Sequence, residues 1–153
     1  MYPSFVSYKI PVSVSFLSSK YLNNPIRISI GESNIVAKNI KQEVIELKSD
    51  EKLDELIKQI DNRNGSILIF VKTKYGTEKL SKALSRSKIK SFPLHGGLRQ
   101  SKRNTIMKNF RDMKFRILIA TDVAARGIDV PHIEHVINYD LPQMAEDFIH
   151  RIG

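Results

Sequence analysis

A chain of 153 residues with 41% hydrophobic and 27% charged side chains has the balance of one soluble domain, long enough to bury roughly two-thirds of the surface its unfolded form exposes. It contains no cysteine, which excludes a disulfide scaffold and cysteine-based zinc sites and suits a reducing, cytoplasmic setting. The net charge of +9 is concentrated between Arg86 and Arg116, where ten basic side chains accompany one acid, Asp112; such a stretch is either a solvated basic face or a surface for a polyanion.

Met1 to Leu17 is moderately apolar but is broken by Lys9 and Pro11 and lacks a charged start, unlike a secretion signal. No apolar run approaches the ~20 residues of a membrane span. Ile40 to Leu47 alternates in polarity, which predicts a strand near a sheet edge. Ser49 is placed to cap a helix with Asp50 and Glu51 in its first turn, and Leu53, Leu56, Ile57 and Ile60 then fall on one face until Asn64-Gly65 ends it. Ser66 to Val71 is a continuous apolar run, as expected for a strand covered on both faces. A helix from Tyr75 to Ser85, a strand from Ile89 to Leu94 and a basic helix from Arg99 to Arg111 follow, the last turning Ile106, Met107 and Phe110 inward. Phe115 to Ala120 and His135 to Tyr139 read as two further strands, and Gln143 to Ile149 begins a last helix. Alternating strands and helices predict an α/β fold with a mainly parallel sheet, right-handed crossovers and helices on both faces. In such sheets ligands sit beyond the carboxyl ends of the strands.

The candidate motifs all lie at those ends. In Phe70-Val71-Lys72-Thr73 the threonine hydroxyl can either cap the next helix or donate to a phosphate. His95-Gly96-Gly97-Leu98 precedes the basic helix opened by Gln100-x-x-Arg103, where small residues permit close backbone approach and a helix N-terminus aims N–H groups at an anion. No Gly-x-x-x-x-Gly-Lys-Ser/Thr phosphate loop occurs. In Thr121-Asp122-Val123-Ala124-Ala125-Arg126-Gly127-Ile128-Asp129, Thr121 can reach a phosphate, Arg126 can pair with a phosphate or carboxylate, and Asp129 can accept from a ribose hydroxyl. His132 and His135 have no cysteine or acidic cluster beside them, so no metal site is expected. Few aromatics interleave the basic stretch, which points to backbone contacts rather than base stacking.

Taken as ordered strings, Ala120 to Pro131, Val136-Ile137-Asn138-Tyr139-Asp140-Leu141-Pro142 and His150-Arg151-Ile152-Gly153 resemble signature motifs of the second RecA-like domain of DEAD-box ATP-dependent RNA helicases. The resemblance covers roughly residues 21–153. It divides the chain into an unmatched segment (1–19), the end of the family's first domain plus a linker (20–39), and a RecA-like three-layer α/β/α domain (40–153) lacking its final strand and helix. It implies that Thr73, Arg103 and Thr121 contact RNA phosphates, that Arg126, Gly127 and Asp129 face the nucleotide, and that His150 and Arg151 couple the two domains. His150, Arg151 and Gly153 would begin an arginine motif whose later arginines lie past Gly153.

The family hydrolyses ATP with Mg2+ between two RecA-like domains and locally unwinds RNA duplexes. The phosphate loop and the acidic box that hold Mg2+ are not among these residues. The resemblance therefore implies a helicase C-terminal half that binds RNA backbone and the ribose side of ATP, catalytic only when completed by a partner chain, such as a separate helicase N-terminal domain, or by sequence outside these residues. Two alternatives accompany it: an RNA-backbone binding module without catalysis, and a truncated product with no role.

Overall fold

The computed structural model describes residues 41–126, 133–142 and 151. Four short apolar runs form one sheet, β1 (Ser66–Phe70), β2 (Ser91–Leu94), β3 (Ile117–Ala120) and β4 (Ile133–Asn138), in the order β2-β3-β1-β4. Every pairing is parallel: Ile67 lies opposite Ile117, Ser91 opposite Ile117 on the other side, and Leu68 opposite Val136. α1 (Lys52–Asp61) leads into β1, the crossovers include α2 (Lys74–Arg86) and α3 (Gln100–Arg111), and the short α4 (Asp122–Ala125) follows β3 directly. The expected parallel α/β architecture is present.

Central strands read as unbroken apolar runs because both of their faces are covered. Period-two alternation sends Ile67, Ile69, Ile117 and Ile119 to one face, where Leu56 and Ile60 of α1 and Leu80 and Leu84 of α2 meet them. Leu68, Phe70, Leu118 and Ala120 point to the other, against Ile106 and Phe110 of α3. Phe115 ties that layer together, its ring centroid 4.3 Å from Phe92 and 5.5 Å from Phe110. Each such side chain removed from water contributes about 1.5–3 kcal/mol.

Two helices stop in the same way. After α2, Lys88 N–H donates to Ser85 O and Ile89 N–H to Leu84 O; after α3, Met113 N–H donates to Phe110 O and Lys114 N–H to Asn109 O. This paired closure needs a left-handed residue, normally glycine, yet here Lys88 (φ 61°) and Met113 (φ 55°) hold it. At α1 a side chain takes that part instead: the Arg116 guanidinium donates to Arg63 O at 2.6 Å and Ile60 O at 3.0 Å.

Two expectations are corrected. Residues 41–47 form no strand: they have no ladder partner among the described residues, and Val44 is 89% exposed. Alternation alone cannot hold a strand without a neighbour to satisfy its N–H and C=O groups. Ser49 does not cap α1. A turn closed by Glu51 N–H to Lys48 O, with Lys48 N–H donating to the Glu51 carboxylate, delays the helix to Lys52 and leaves Glu51 at its head. The expected helix at 143–149, the domain-one remnant and linker at 20–39, and the segment 1–19 lie outside the described residues.

Candidate functional site

The carboxyl ends of β2, β3 and β1 lie side by side, and the chain leaving them reaches the expected phosphate contacts: Thr121 directly past β3, Thr73 just before α2 and Arg103 in the first turn of α3. Past β1, Thr73 caps α2, its hydroxyl oxygen accepting from Gly76 N–H at 2.9 Å. A Cβ on Gly76 would come within 2.7 Å of Val71 Cγ1 and 3.0 Å of Thr73 Oγ1, so the cap depends on the missing side chain. The hydroxyl proton of exposed Thr73 remains available to donate. The two roles weighed for this residue, cap and phosphate donor, use different parts of the hydroxyl and do not compete.

Past β3, Thr121 heads α4. Its carbonyl accepts from Ala124 and Ala125 N–H, and its own N–H donates to Leu94 O at 3.2 Å, which fastens this turn to the end of β2. The hydroxyl makes no capping bond. Thr121, largely buried, is among the residues that line a cavity of about 230 Å³ with Lys72, Asp122, Arg126, Leu141 and Arg151.

Past β2, the turn His95-Gly96-Gly97 is held from beneath. Gly97 N–H donates to His95 Nδ1 at 3.1 Å, which leaves the ring proton on Nε2, 3.0 Å from the Glu78 carboxylate of α2. A Cβ on Gly96 would meet only Lys74 Cε at 3.9 Å, so that backbone faces open space. Arg99, at the head of α3, offers no side-chain cap, and the first turn contains no acid, so the leading N–H groups stay free for an anion. Arg103, half-buried one turn further, makes no side-chain hydrogen bond or ion pair among the described residues.

The centre of the site is a residue whose role the motif strings did not show. Arg151, 5% exposed, sends Nε and Nη2 to the two oxygens of Asp122 at 2.6 and 2.8 Å, and Nη1 to Asn138 Oδ1 at 2.7 Å and Asp140 O at 2.8 Å. Its guanidinium lies 4.6 Å from the centroid of the Phe70 ring. Four of its five N–H groups are thus engaged within the domain, clasping the ends of β3 and β4 over the end of β1. Hydrogen bonding from Arg151 holds the Asp122 carboxyl below its ordinary value, against the opposing effect of burial. Beside it, Asp140 accepts from Lys72 N–H at 2.9 Å and from Lys52 Nζ at 3.2 Å, and the same ammonium lies 4.4 Å from the centre of the Tyr139 ring. Burial, and secondarily the Asp140 charge, raise the Tyr139 phenol above its ordinary value. Asp122, Asn138 and Asp140 all stand inside the motif strings, but nothing in their spacing announces a shared arginine 11 to 29 positions away.

Arg126 closes α4 at the rim of the cavity. Gly127, Asp129, His150 and Gly153 lie outside the described residues. Among the described residues no group of three or more histidine, aspartate or glutamate side chains is placed to hold a metal ion, and no helix is long and apolar enough to cross a membrane.

A family model, the helicase conserved C-terminal domain, matches residues 49–153. The chain belongs to this family. It is 38% identical over 148 residues to rice DEAD-box ATP-dependent RNA helicase 21, spanning 96% of the chain and 20% of that protein. It is 37% identical to the ATP-dependent RNA helicase DBP2 of Meyerozyma guilliermondii, spanning 94% of the chain and 27% of the relative. The chain therefore spans about a fifth to a quarter of these helicases. An alignment of that extent reaches into residues 1–19, for which the motif strings supplied no counterpart.

Solved structures agree. A DEAD box protein from Methanococcus jannaschii superposes with a TM-score of 0.72 at 39% identity, covering 96% of this chain and 39% of that one. Yeast Dbp5 bound to RNA and ADP BeF3 superposes at 0.82 with 33% identity, covering 96% and 40%. The four-stranded sheet and its helices are those of a RecA-like helicase C-terminal domain, and its relatives are ATP-dependent DEAD-box RNA helicases.

Proposed function

We propose that this chain supplies the C-terminal RecA-like half of an ATP-dependent RNA helicase, holding RNA by its phosphates on one side of the strand-end rim and the ribose side of ATP on the other. The observation that carries this reading is the order of the strand ends, β2-β3-β1, beyond which the three donors follow in the chain. Arg103 follows β2, Thr121 follows β3 and Thr73 follows β1, with β3 between the other two. Neighbouring strands are about 4.8 Å apart, so the three ends spread over roughly 10 Å, the scale of a short run of backbone phosphates. Both threonine protons are free to donate and Arg103 is unpaired among the described residues.

Arg126 lines the same cavity as Thr121, and on this reading it would meet the nucleotide with Gly127 and Asp129. Asp122, bound by Arg151, is the residue after Thr121, so a change in the arginine motif would act on that turn. ATP supplies the phosphoryl group whose hydrolysis drives such helicases. The residues that would bind Mg2+ and activate water belong on this reading to a helicase N-terminal domain acting with this one. Charge on the transferring phosphoryl is what arginines of a completed motif would stabilise, a contribution of ~10³–10⁵ in rate for an arginine finger.

Fluorescence anisotropy with single-stranded RNA tests the binding half. Affinity should fall steeply between ~50 and ~200 mM salt, show no sequence preference, and weaken with Arg103→Ala and Thr121→Ala. Salt-independent binding, or indifference to both substitutions, overturns the assignment. Mixing the chain with a DEAD-box N-terminal domain tests the catalytic half through RNA-stimulated phosphate release.

A further inference from the structure

The basic excess that reads as one field in the sequence is divided by the fold. Arg99, Lys102 and Arg103 sit at the head of α3, on the strand-end rim. The last turn of α2 carries Arg86, its closing turn carries Lys88, and Lys90 stands just before β2. The last turn of α3 carries Lys108 and Arg111, and Lys114 precedes β3. Because the strands are parallel, these six side chains lie toward the amino end of the β2–β3 half of the sheet, opposite the rim, those at the end of α2 coming from one face and those at the end of α3 from the other. All six are exposed. Arg86, Lys88, Lys108 and Arg111 make no side-chain ion pair or hydrogen bond among the described residues. The one acid in the sequence between Arg86 and Arg116, Asp112, lies 4.0 Å from Lys114. Arg116 does not belong to the group, since its guanidinium is turned inward to the end of α1.

Favourable interaction with helix C-termini accounts for Arg86, Lys108 and Arg111. It does not account for Lys88, Lys90 or Lys114, which lie beyond the helices, and Lys88 occupies a left-handed position that glycine would hold with less strain. The two basic ends are also connected. α3 contains no acid anywhere along its twelve residues, and Ser101, Thr105 and Lys108 present a track from head to tail. From Arg103 to Arg111 the axial distance is about 12 Å at ~1.5 Å per residue.

We propose that this amino-end surface is a second RNA contact, taking the phosphates of the strand that leaves the rim and runs down the outer side of α3. The proposal rests on the rim itself binding RNA. The contact is purely electrostatic: of the aromatic side chains interspersed with these residues, Phe110 and Phe115 are buried in the core and Phe92 is half-buried with Lys90 5.9 Å over its ring. It therefore reads no bases and extends the site for long RNA only.

The test compares the chain with a variant carrying Lys88→Gln, Lys90→Gln, Arg111→Gln and Lys114→Gln, by anisotropy on RNAs of about 6 and about 30 nucleotides, lengths chosen to cover the rim alone or both surfaces. All four positions are exposed, and a matching circular dichroism melt establishes that the variant folds. The longer RNA should bind at least ~10-fold more weakly to the variant, with its salt slope reduced by about 0.7 for each phosphate no longer neutralised, while the shorter RNA is unchanged. An unchanged affinity for the longer RNA, or an equal loss on both, overturns the proposal. Poly-glutamate of matched charge is the third arm; if it competes as well as the longer RNA at this surface, the surface serves acidic proteins and the proposal fails. Arg103→Ala and Thr121→Ala are measured alongside. If they change nothing while the distal variant loses the longer RNA, it is the rim assignment that fails, and the two failures are told apart.

Discussion

Truncating either end of the Arg151–Asp122 clasp should have unequal consequences, because the two partners are unequally dry. The Arg151 side chain is 2% exposed and that of Asp122 27%. Asp122→Ala leaves a nearly dry guanidinium without the carboxylate that pairs it, a change that costs about 3–5 kcal/mol when a buried pair is broken from one side. Arg151→Met leaves a carboxylate that solvent can reach, and fills the space over Phe70 with a side chain of similar length. Its cost is the two acceptors it orphans, Asn138 Oδ1 and Asp140 O, about 1–3 kcal/mol for each that stays dry and less here, because both residues are half-buried and solvent can replace the guanidinium. Against a total stability of ~5–15 kcal/mol, the first change consumes much of what the domain has and the second does not. Urea unfolding in a stabilising osmolyte reads both, with the double variant closing the cycle. The double variant should be more stable than Asp122→Ala alone, since it removes the stranded charge. Acid sharpens the test. The Asp122 pKa is depressed in the folded state, so its contribution is complete above the unfolded value of 3.8 and is lost as pH falls below it. The gap between the parent chain and Asp122→Ala should shrink over that range. If Arg151→Met proves the more damaging change, or the double variant is the least stable of the three, the reasoning from unequal burial is wrong.

Other expectations follow from single residues. Thr73→Ala should lose both roles of the hydroxyl, lowering stability by about 0.5–2 kcal/mol and weakening RNA binding. Thr73→Asp should keep the cap and repel phosphate, so a thermal melt at or above the parent's together with weakened RNA binding separates the two functions. Met113→Gly should raise the melting temperature, because it relieves a left-handed residue costing roughly 1 kcal/mol at an exposed closing turn; a lower melting temperature would refute the strain argument. Tyr139→Phe should flatten the alkaline limb of a stability–pH curve. The buried phenol has a raised pKa, so its contribution is full below 10.0 and falls away as pH rises past that value toward the folded one.

The sheet was legible because its determinants are local in sequence. Ile67 to Phe70 and Ile117 to Ala120 are apolar without interruption, and only a doubly covered strand tolerates that. The helices α2 and α3 were legible from their apolar spacing, and their ends matched closely. The misread segments fail for reasons of context. Residues 41–47 have a strand's alternation but no neighbour to pair with among the described residues. Ser49 has a cap's chemistry, but the turn at Lys48–Glu51 uses the backbone first.

The site divides along the same line. Thr73, Thr121 and the Gly96-Gly97 turn could be placed from sequence, since each lies just beyond a legible strand and the topology does the rest. Arg151 could not. Its partners come from the ends of β3 and β4 and its ring contact from β1, and only the order β2-β3-β1-β4 brings those ends together. The same folding step explains why the basic stretch was read as one surface. Charge is additive along a sequence, whereas a helix of twelve residues carries its two ends to opposite sides of the sheet. A short stretch of chain thus furnishes two separate fields, and only the one beyond the carboxyl ends coincides with Thr73 and Thr121. Charge alone says that a polyanion is welcome; the strand ends say where its phosphates would be held.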